Sequence, residues 1–436
     1  MRKKIAAVIF LIIISILPLY ACDKDAGISE YEASEDFFDI AVTFAGNAAS
    51  ARAFNFFSVQ NDAYLNNCAV QLDPSDADLP SFNSKDNILL NAESFAMGEL
   101  LPQGEKYRHR AAAYGLAADT KYFYRVGSPS LNAWSAYGYF KTAGAGDIDF
   151  LYVTDPQATS PEEYAHYGNL LGKAYETFGT PDFIVSAGDQ IENFFEPREW
   201  DYYFESAAPY YSKTTLAPAS GNHEFLYHLM NDYFYIPRET VSFSYTFEYG
   251  DAFFAYVDTN DFSMTEQMLW LDSVLKATDK KWKIVVFHKS PFSSGVHADQ
   301  SDVLLVKEKL VPVLGENGVD LALSGHDHIY SRTYPLNGSG EISYGEINRE
   351  TLENGVIKSV YNSPAGTIYA EARCSGIKYY SKSYDGNDYA IEKGDPEKTE
   401  RQVFAGITIS GGNLTYTAYE LNGEEVEILD ILGIIK

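Results

Sequence analysis

Five short polar blocks each follow an apolar run in this chain, and their order restricts what it can fold into. They are Asp155-Pro156-Gln157, Gly188-Asp189-Gln190-Ile191-Glu192-Asn193, Gly221-Asn222-His223-Glu224, Phe287-His288-Lys289 and Gly325-His326-Asp327-His328. The apolar runs before them read as strands: Asp149–Val153, Phe183–Val185, Leu216–Ala219, Lys283–Phe287 and Val319–Leu323. Between them lie stretches with helical spacing: Pro161–Phe178, Pro197–Ala208, a helix through Leu275 opened by a Ser263-x-x-Glu266 capping box, and Asp302–Leu314. Phe243–Tyr249 and Ala252–Val257 read as paired strands. This βαβ alternation predicts parallel strands with the polar blocks just past their C-termini, where open α/β sheets hold ligands.

The residue types fix the chemistry. Two divalent ions a few ångströms apart repel, so a carboxylate must bridge them and further donors must surround them. Asp189 is the natural bridge, because Gly188 lets the backbone turn sharply. Asp155 serves the first ion and Asn222 offers an amide oxygen to the second, while His288, His326 and His328 add imidazoles. Such a pair polarises phosphoryl oxygens and lowers the pKa of a bound water. His223, beside Asn222, stands where it can protonate a leaving oxygen. Four of the eight histidines fall inside the blocks, which weighs against chance placement. His109, His166 and His228 read as structural.

Ahead of this region, residues 37–143 are strand-like and punctuated by turns. Ile40–Phe44, Ala53–Phe57, Lys121–Val126 and Tyr137–Phe140 suggest a β-sandwich of about 100 residues. The stretch Gly115–Val126 resembles the late strands of fibronectin type III modules, and Ala143-Gly144-Ala145-Gly146 is a hinge. The rest, to Lys436, reads as short strands that complete a second sheet.

The blocks together resemble the calcineurin-like metallophosphoesterase superfamily. With a sandwich in front, they resemble purple acid phosphatases and their bacterial relatives, over roughly residues 38 to 430. The resemblance implies a multidomain chain, an all-β fibronectin type III-like sandwich (37–143) followed by a four-layer αββα metallophosphoesterase domain (148–436). It implies Asp155, Asp189 and His328 as ligands of one metal, and Asp189, Asn222, His288 and His326 as ligands of the other. His223 matches the histidine that assists the leaving group, and His297 falls where plant-type members contact substrate. Tyr330 and Arg332 follow the His-x-His block in a structural role. The activity implied is metal-dependent hydrolysis of phosphate esters, monoesters favoured, with diesters or nucleotides, or a catalytically weak binding module, as alternatives.

Two positions depart from the family. Its tyrosine ligand, three residues after the bridging Asp, is Glu192 here, and a frequent histidine, two after the first Asp, is Gln157. Gln157 or Glu192 donates an oxygen, or water fills the gap. The absence of a tyrosinate points away from a purple protein with a fixed ferric ion. Fe, Mn or Zn suit the set.

Arg2, Lys3 and Lys4 precede the apolar run Ile5–Leu17, and Leu19-Tyr20-Ala21-Cys22 resembles a bacterial lipobox. This predicts a lipoprotein signal peptide over 1–22 with Cys22 lipidated, an acidic tether over 23–36, and an enzyme anchored to a bacterial membrane facing periplasm or exterior. Plain signal-peptide cleavage is the alternative. The formal charge of −28 argues against a nucleic-acid backbone as partner. Cys68 and Cys374 are expected as free buried thiols. Phe194, Phe195, Tyr227, Tyr233 and Tyr235 either pack against the sandwich, the favoured reading, or stack on a base.

Overall fold

The computed structural model describes residues 32–97, 106–225, 227–236, 242–343, 345–395 and 399–436. The signal segment with Cys22, most of the tether, and the side chains of Tyr227 and His228 lie outside the described residues.

Three parallel strands, Ile148–Val153, Phe183–Ser186 and Thr215–Pro218, form the centre of one sheet. A second sheet is built on Ala252–Tyr256, Trp282–Lys289, Leu321–Gly325 and Ile368–Glu371, also parallel. The two-residue period of a strand explains how both faces of this sheet are used. Ile284 and Val286 join Phe150, Ile184 and Leu323 in the core between the sheets. Val285 and Phe287 turn the other way, onto Leu271, Leu275, Val306 and Leu310 of helices Thr265–Ala277 and Ser301–Glu316. Helices Pro161–Phe178 and Arg198–Tyr211 cover the first sheet through Tyr164, Leu170, Tyr203 and Ala207. The order of layers is therefore αββα, as expected.

The C-terminal strands are longer than predicted and divide between the sheets. Val403–Ser410 pairs antiparallel with Ile148–Val153 and leads into Asn413–Asn422 and Glu425–Ile435, all in the first sheet. Ile368–Glu371, Ser331–Thr333 and Ile391–Gly394 extend the second.

Residues 37–141 form a β-sandwich. One sheet holds Phe37–Thr43, Ala51–Val59, Lys106–Tyr114 and Glu93–Ala96; the other holds Ala69–Pro74, Ile88–Asn91, Lys121–Ser128 and Gly138–Lys141. Phe54, Phe56, Val70, Tyr124 and Phe140 fill the space between. The first of these sheets is continuous with the α/β region: Thr43 pairs in parallel with Leu216. Buried Arg52 spans the junction, donating to the Thr215 hydroxyl at 3.0 Å and the Lys141 carbonyl at 2.7 Å.

One local expectation fails. The helix Thr265–Ala277 carries no side-chain cap, and Met264 precedes it with φ 53°. Asp261 Oδ1 instead accepts from the Ser263 backbone N–H at 3.0 Å and the Ser263 hydroxyl at 3.3 Å. The Ser263 hydroxyl still accepts from the Thr265 backbone N–H at 3.4 Å, but Asp261 takes the Ser263 N–H that the capping-box pattern assigns to Glu266. Cys68 and Cys374 are free and buried, as expected.

Candidate metal centre

The polar blocks converge at the C-terminal edges of the two sheets, and the backbone there is strained. Asp155, Asp189, His326 and His328 all have positive φ, between 49° and 84°. Non-glycine residues adopt this region at a cost, and a cluster of them marks a site whose surroundings hold it in place. Glycine makes the close approaches possible. A Cβ on Gly221 would run into the Asp189 carboxylate and backbone, and one on Gly188 (φ 105°) would lie 2.7 Å from His288 Nδ1.

Two donor groups result, Asp189–His288–His326 and Asp155–Asp189–His328, each with its ligand atoms within 4.8 Å of one another. Asp189 belongs to both, the arrangement a bridging carboxylate requires. All five residues are buried. His288 Nε2 lies 3.2 Å from Asp189 Oδ2 and 2.9 Å from Asn222 Oδ1, which brings the asparagine oxygen into the second group. His328 Nε2 lies 3.2 Å from Asp155 Oδ1. Backbone carbonyls fix both rings: Ala187 O accepts from His288 Nδ1 at 2.9 Å and Lys378 O from His328 Nδ1 at 2.7 Å. Each ring thereby turns Nε2 toward the carboxylates, the usual outer support of a metal-binding imidazole.

Two buried atoms test whether a metal pair fits. His326 Nε2 and Gln157 Oε1 have no hydrogen-bond partner. A buried polar atom left bare is costly unless something absent from the protein chain completes it. Burial, then nearby His288, holds the His326 imidazole well below its usual pKa, which favours the neutral ring that a metal needs. Burial opposes the charge on Asp189, but His288 and His223 outweigh it and hold the carboxyl well below the ordinary range. Burial also lowers His288, yet Asp189 pushes it up to about 9. A carboxylate this strongly favoured as an anion, facing imidazoles, is a site made for cations. The residues fit two ions.

The two departures from the family separate here. Gln157 reaches the centre: its Nε2 donates to Asp189 Oδ2 at 3.3 Å, and its Oε1 is buried without a hydrogen-bond partner. The Glu192 carboxylate is instead held by the Lys378 ammonium at 2.7 and 2.9 Å.

His223 donates its backbone N–H to Asp189 Oδ1 at 2.9 Å, and its Nδ1 lies 2.5 Å from the Glu192 carbonyl. A carbonyl only accepts, so Nδ1 carries the hydrogen. Nε2 lies 3.9 Å from Asp189 Oδ2. His297 also comes to the centre, its ring centroid 4.6 Å from that of His326, with its backbone N–H donating to Asp327 Oδ1 at 2.7 Å.

Sequence reasoning missed three contributors. Glu224 accepts from the backbone N–H groups of Asp189, Ile191 and Gly221 at 2.9–3.0 Å, tying two ligand loops together. Its place at the end of the Gly221 block was the available signal. Lys378 and Tyr380, whose ring stacks on His328 at 4.6 Å, carry no local signal at all. The aromatic set divides. Tyr233 is buried and stacks on Trp200 at 4.2 Å, and Phe194 packs against the core, but Phe195 is 62% exposed. The packing expectation fails for Phe195.

Residues 148–330 match the family model of the calcineurin-like phosphoesterases. Purple acid phosphatase 15 of Arabidopsis thaliana is 26% identical over 293 residues, 58% of this chain and 54% of that protein. Purple acid phosphatase 18 of the same plant is 25% identical over 340 residues, 69% of this chain and 70% of that one. The chain thus spans about half the length of the first relative. The solved structure of purple acid phosphatase PPD1 from yellow lupin (Lupinus luteus) seeds superposes with a TM-score of 0.76 at 18% identity, covering 92% of this chain and 74% of the other. The chain carries a calcineurin-like phosphoesterase domain, is a homologue of the purple acid phosphatases and shares their fold.

Proposed function

We propose that this protein is an exported, lipid-anchored, metal-dependent hydrolase of phosphate esters that favours phosphomonoesters. The observation that carries the activity is the pair of buried donor groups sharing Asp189. Asp155, Asp189 and His328, with Gln157, would hold one ion, and Asp189, Asn222, His288 and His326 the other. When bound, the ions supply Lewis-acid stabilisation of phosphoryl charge and a water acidified toward neutrality.

The chain's own residues do the rest. Asp189 sets the spacing, and Ala187 O and Lys378 O hold His288 and His328 in their tautomers. In hydrolysis, water gives up a proton to solvent and its oxygen forms the new bond to phosphorus as the ester P–O bond breaks. The departing oxygen takes a proton from Nε2 of protonated His223, whose Nδ1–H is fixed on the Glu192 carbonyl. His297, against the ring of His326, would donate to a phosphoryl oxygen.

The monoester preference is supported by the naming of the relatives as acid phosphatases. Export and the anchor are supported by the basic residues at 2–4, the apolar run and Cys22. No helix among the described residues is long and apolar enough to cross a membrane. The fibronectin type III likeness of the sandwich is part of the same reading.

The deciding assay is hydrolysis of 4-nitrophenyl phosphate against bis(4-nitrophenyl) phosphate after supplying Mn²⁺, Fe²⁺ or Zn²⁺. Faster turnover of the monoester is expected. Faster turnover of the diester overturns the preference, and turnover of neither overturns the activity. Release from membranes on Cys22→Ser tests the anchor.

A further inference from the structure

A cleft of about 680 Å³ adjoins the centre on the His223 side, and Asn222 and His223 form part of its wall. Phe194 and Phe195 form another part, their ring centroids 3.8 Å apart. Phe194 is anchored in the core, whereas Phe195 is 62% exposed. This exposure does not come from a loose loop. Buried Glu199 accepts from the backbone N–H groups of Glu192 and Asn193 at 2.9 and 2.7 Å and from Asn193 Nδ2 at 2.8 Å. Lys378 holds Glu192 from the other side. A large apolar ring fixed in water beside a polar centre is a surface waiting for a partner.

The charges of the cleft restrict that partner. Glu192, Glu196 and Glu199 line it, and among the described lining residues there is no lysine or arginine. The cations nearby are committed, Lys378 to Glu192 and Arg198 to Glu196 at 3.1 Å. A second phosphate lying here would meet carboxylates with no free cation to balance it. A flat, uncharged aromatic group would meet Phe195.

We propose that this cleft is the leaving-group subsite and that it takes the aromatic part of a phosphomonoester, such as the base of a nucleoside monophosphate, while disfavouring substrates with a further phosphate at that position. The inference rests on the hydrolase reading above. With one phosphoryl group at the centre, His223 faces the ester oxygen, and whatever that oxygen carries extends toward Phe195.

Adenosine 5′-monophosphate and ribose 5-phosphate break the same kind of primary-alcohol ester, so comparing them isolates the base. Phosphate release by the metal-supplied protein should show kcat/KM roughly tenfold higher for adenosine 5′-monophosphate, the range that stacking on one aromatic ring supplies. Phe195→Ala, at an exposed position that leaves the fold intact, should bring the ratio to about one, and Phe195→Tyr should retain it. Adenosine 5′-diphosphate should be hydrolysed at least roughly tenfold less efficiently than the monophosphate. A wild-type ratio near one, a ratio unchanged in Phe195→Ala, or a diphosphate used as well as the monophosphate overturns the subsite and leaves the hydrolase standing. Failure to hydrolyse these substrates and 4-nitrophenyl phosphate alike overturns both.

Discussion

The Lys378 ammonium lies 2.7 Å from one oxygen of the Glu192 carboxylate and 2.9 Å from the other, although the two residues are 186 positions apart. The same two residues supply the carbonyls that orient His328 and His223, at 2.7 and 2.5 Å. One ion pair thus fastens the supports of two histidines of the centre. Lys378→Met should lower kcat/KM about tenfold, the usual cost of losing a partner that orients a ligand. Lys378→Arg should restore much of it. Glu192→Gln should do comparable damage, and the double variant should be no worse than either single one, because both remove one interaction. Additive losses in this cycle would mean that the pair does not act as a unit.

Glu224 bears a different burden. Burial pushes its carboxyl up to about 8, with Asp189 adding to the rise, yet it accepts three backbone N–H groups. Glu224→Gln replaces one acceptor oxygen with a donor that faces donors. The variant should lose about 2 kcal/mol of stability and retain metal poorly through dialysis. Urea unfolding and elemental analysis read the two effects separately.

Arg332 joins the two sheets just after the His-x-His block. Its Nε and Nη2 reach Asp430 at 2.5 and 3.1 Å, Tyr330 donates to Asp430 at 2.9 Å, and Glu392 completes the set. Arg332 and Asp430 are each only 1% exposed. Asp430→Ala would leave the guanidinium short of its main counter-charge, at a cost of about 3–5 kcal/mol. A calorimetric melting temperature close to wild type would show that Arg332 finds another partner.

In the sandwich, His109 is stacked on Phe56, with Ser58 Oγ 2.9 Å from one ring nitrogen and Ser94 Oγ 2.8 Å from the other. Burial brings its pKa down to about 4. Above pH 6.5 the ring is neutral in both folded and unfolded chains and contributes no pH dependence. Between 6.5 and 4 the unfolded chain binds a proton that the folded one refuses, so stability falls as pH falls, by up to about 3 kcal/mol. The urea midpoint of His109→Gln should decline less across this window than that of wild type. Equal declines would contradict the assignment.

What the sequence disclosed was local. A strand followed at once by Asp, Asn or His places that residue at a known edge of a sheet, so Asp155, Asp189, Asn222, His288, His326 and His328 could be placed without coordinates. The Glu192–Lys378 pair, the stacking of Tyr380 on His328 and the union of Thr43 with Leu216 join distant parts of the chain and leave no periodic trace. Ser263 shows the opposite failure, a local pattern half overridden: Asp261 takes the backbone N–H that the pattern assigns to Glu266. Gln157 and Glu192 looked equivalent as sources of an extra oxygen; only the position of Lys378 separates them.

The central claim is that Asp189 joins two metal sites into one centre, and metal content tests it most directly. Elemental analysis of the purified protein after supply of Mn²⁺, Fe²⁺ or Zn²⁺ should find close to two ions per chain in wild type, as two donor groups sharing a carboxylate require. Asp189→Ala should hold neither. One ion or none in wild type, or two retained in the variant, would contradict it.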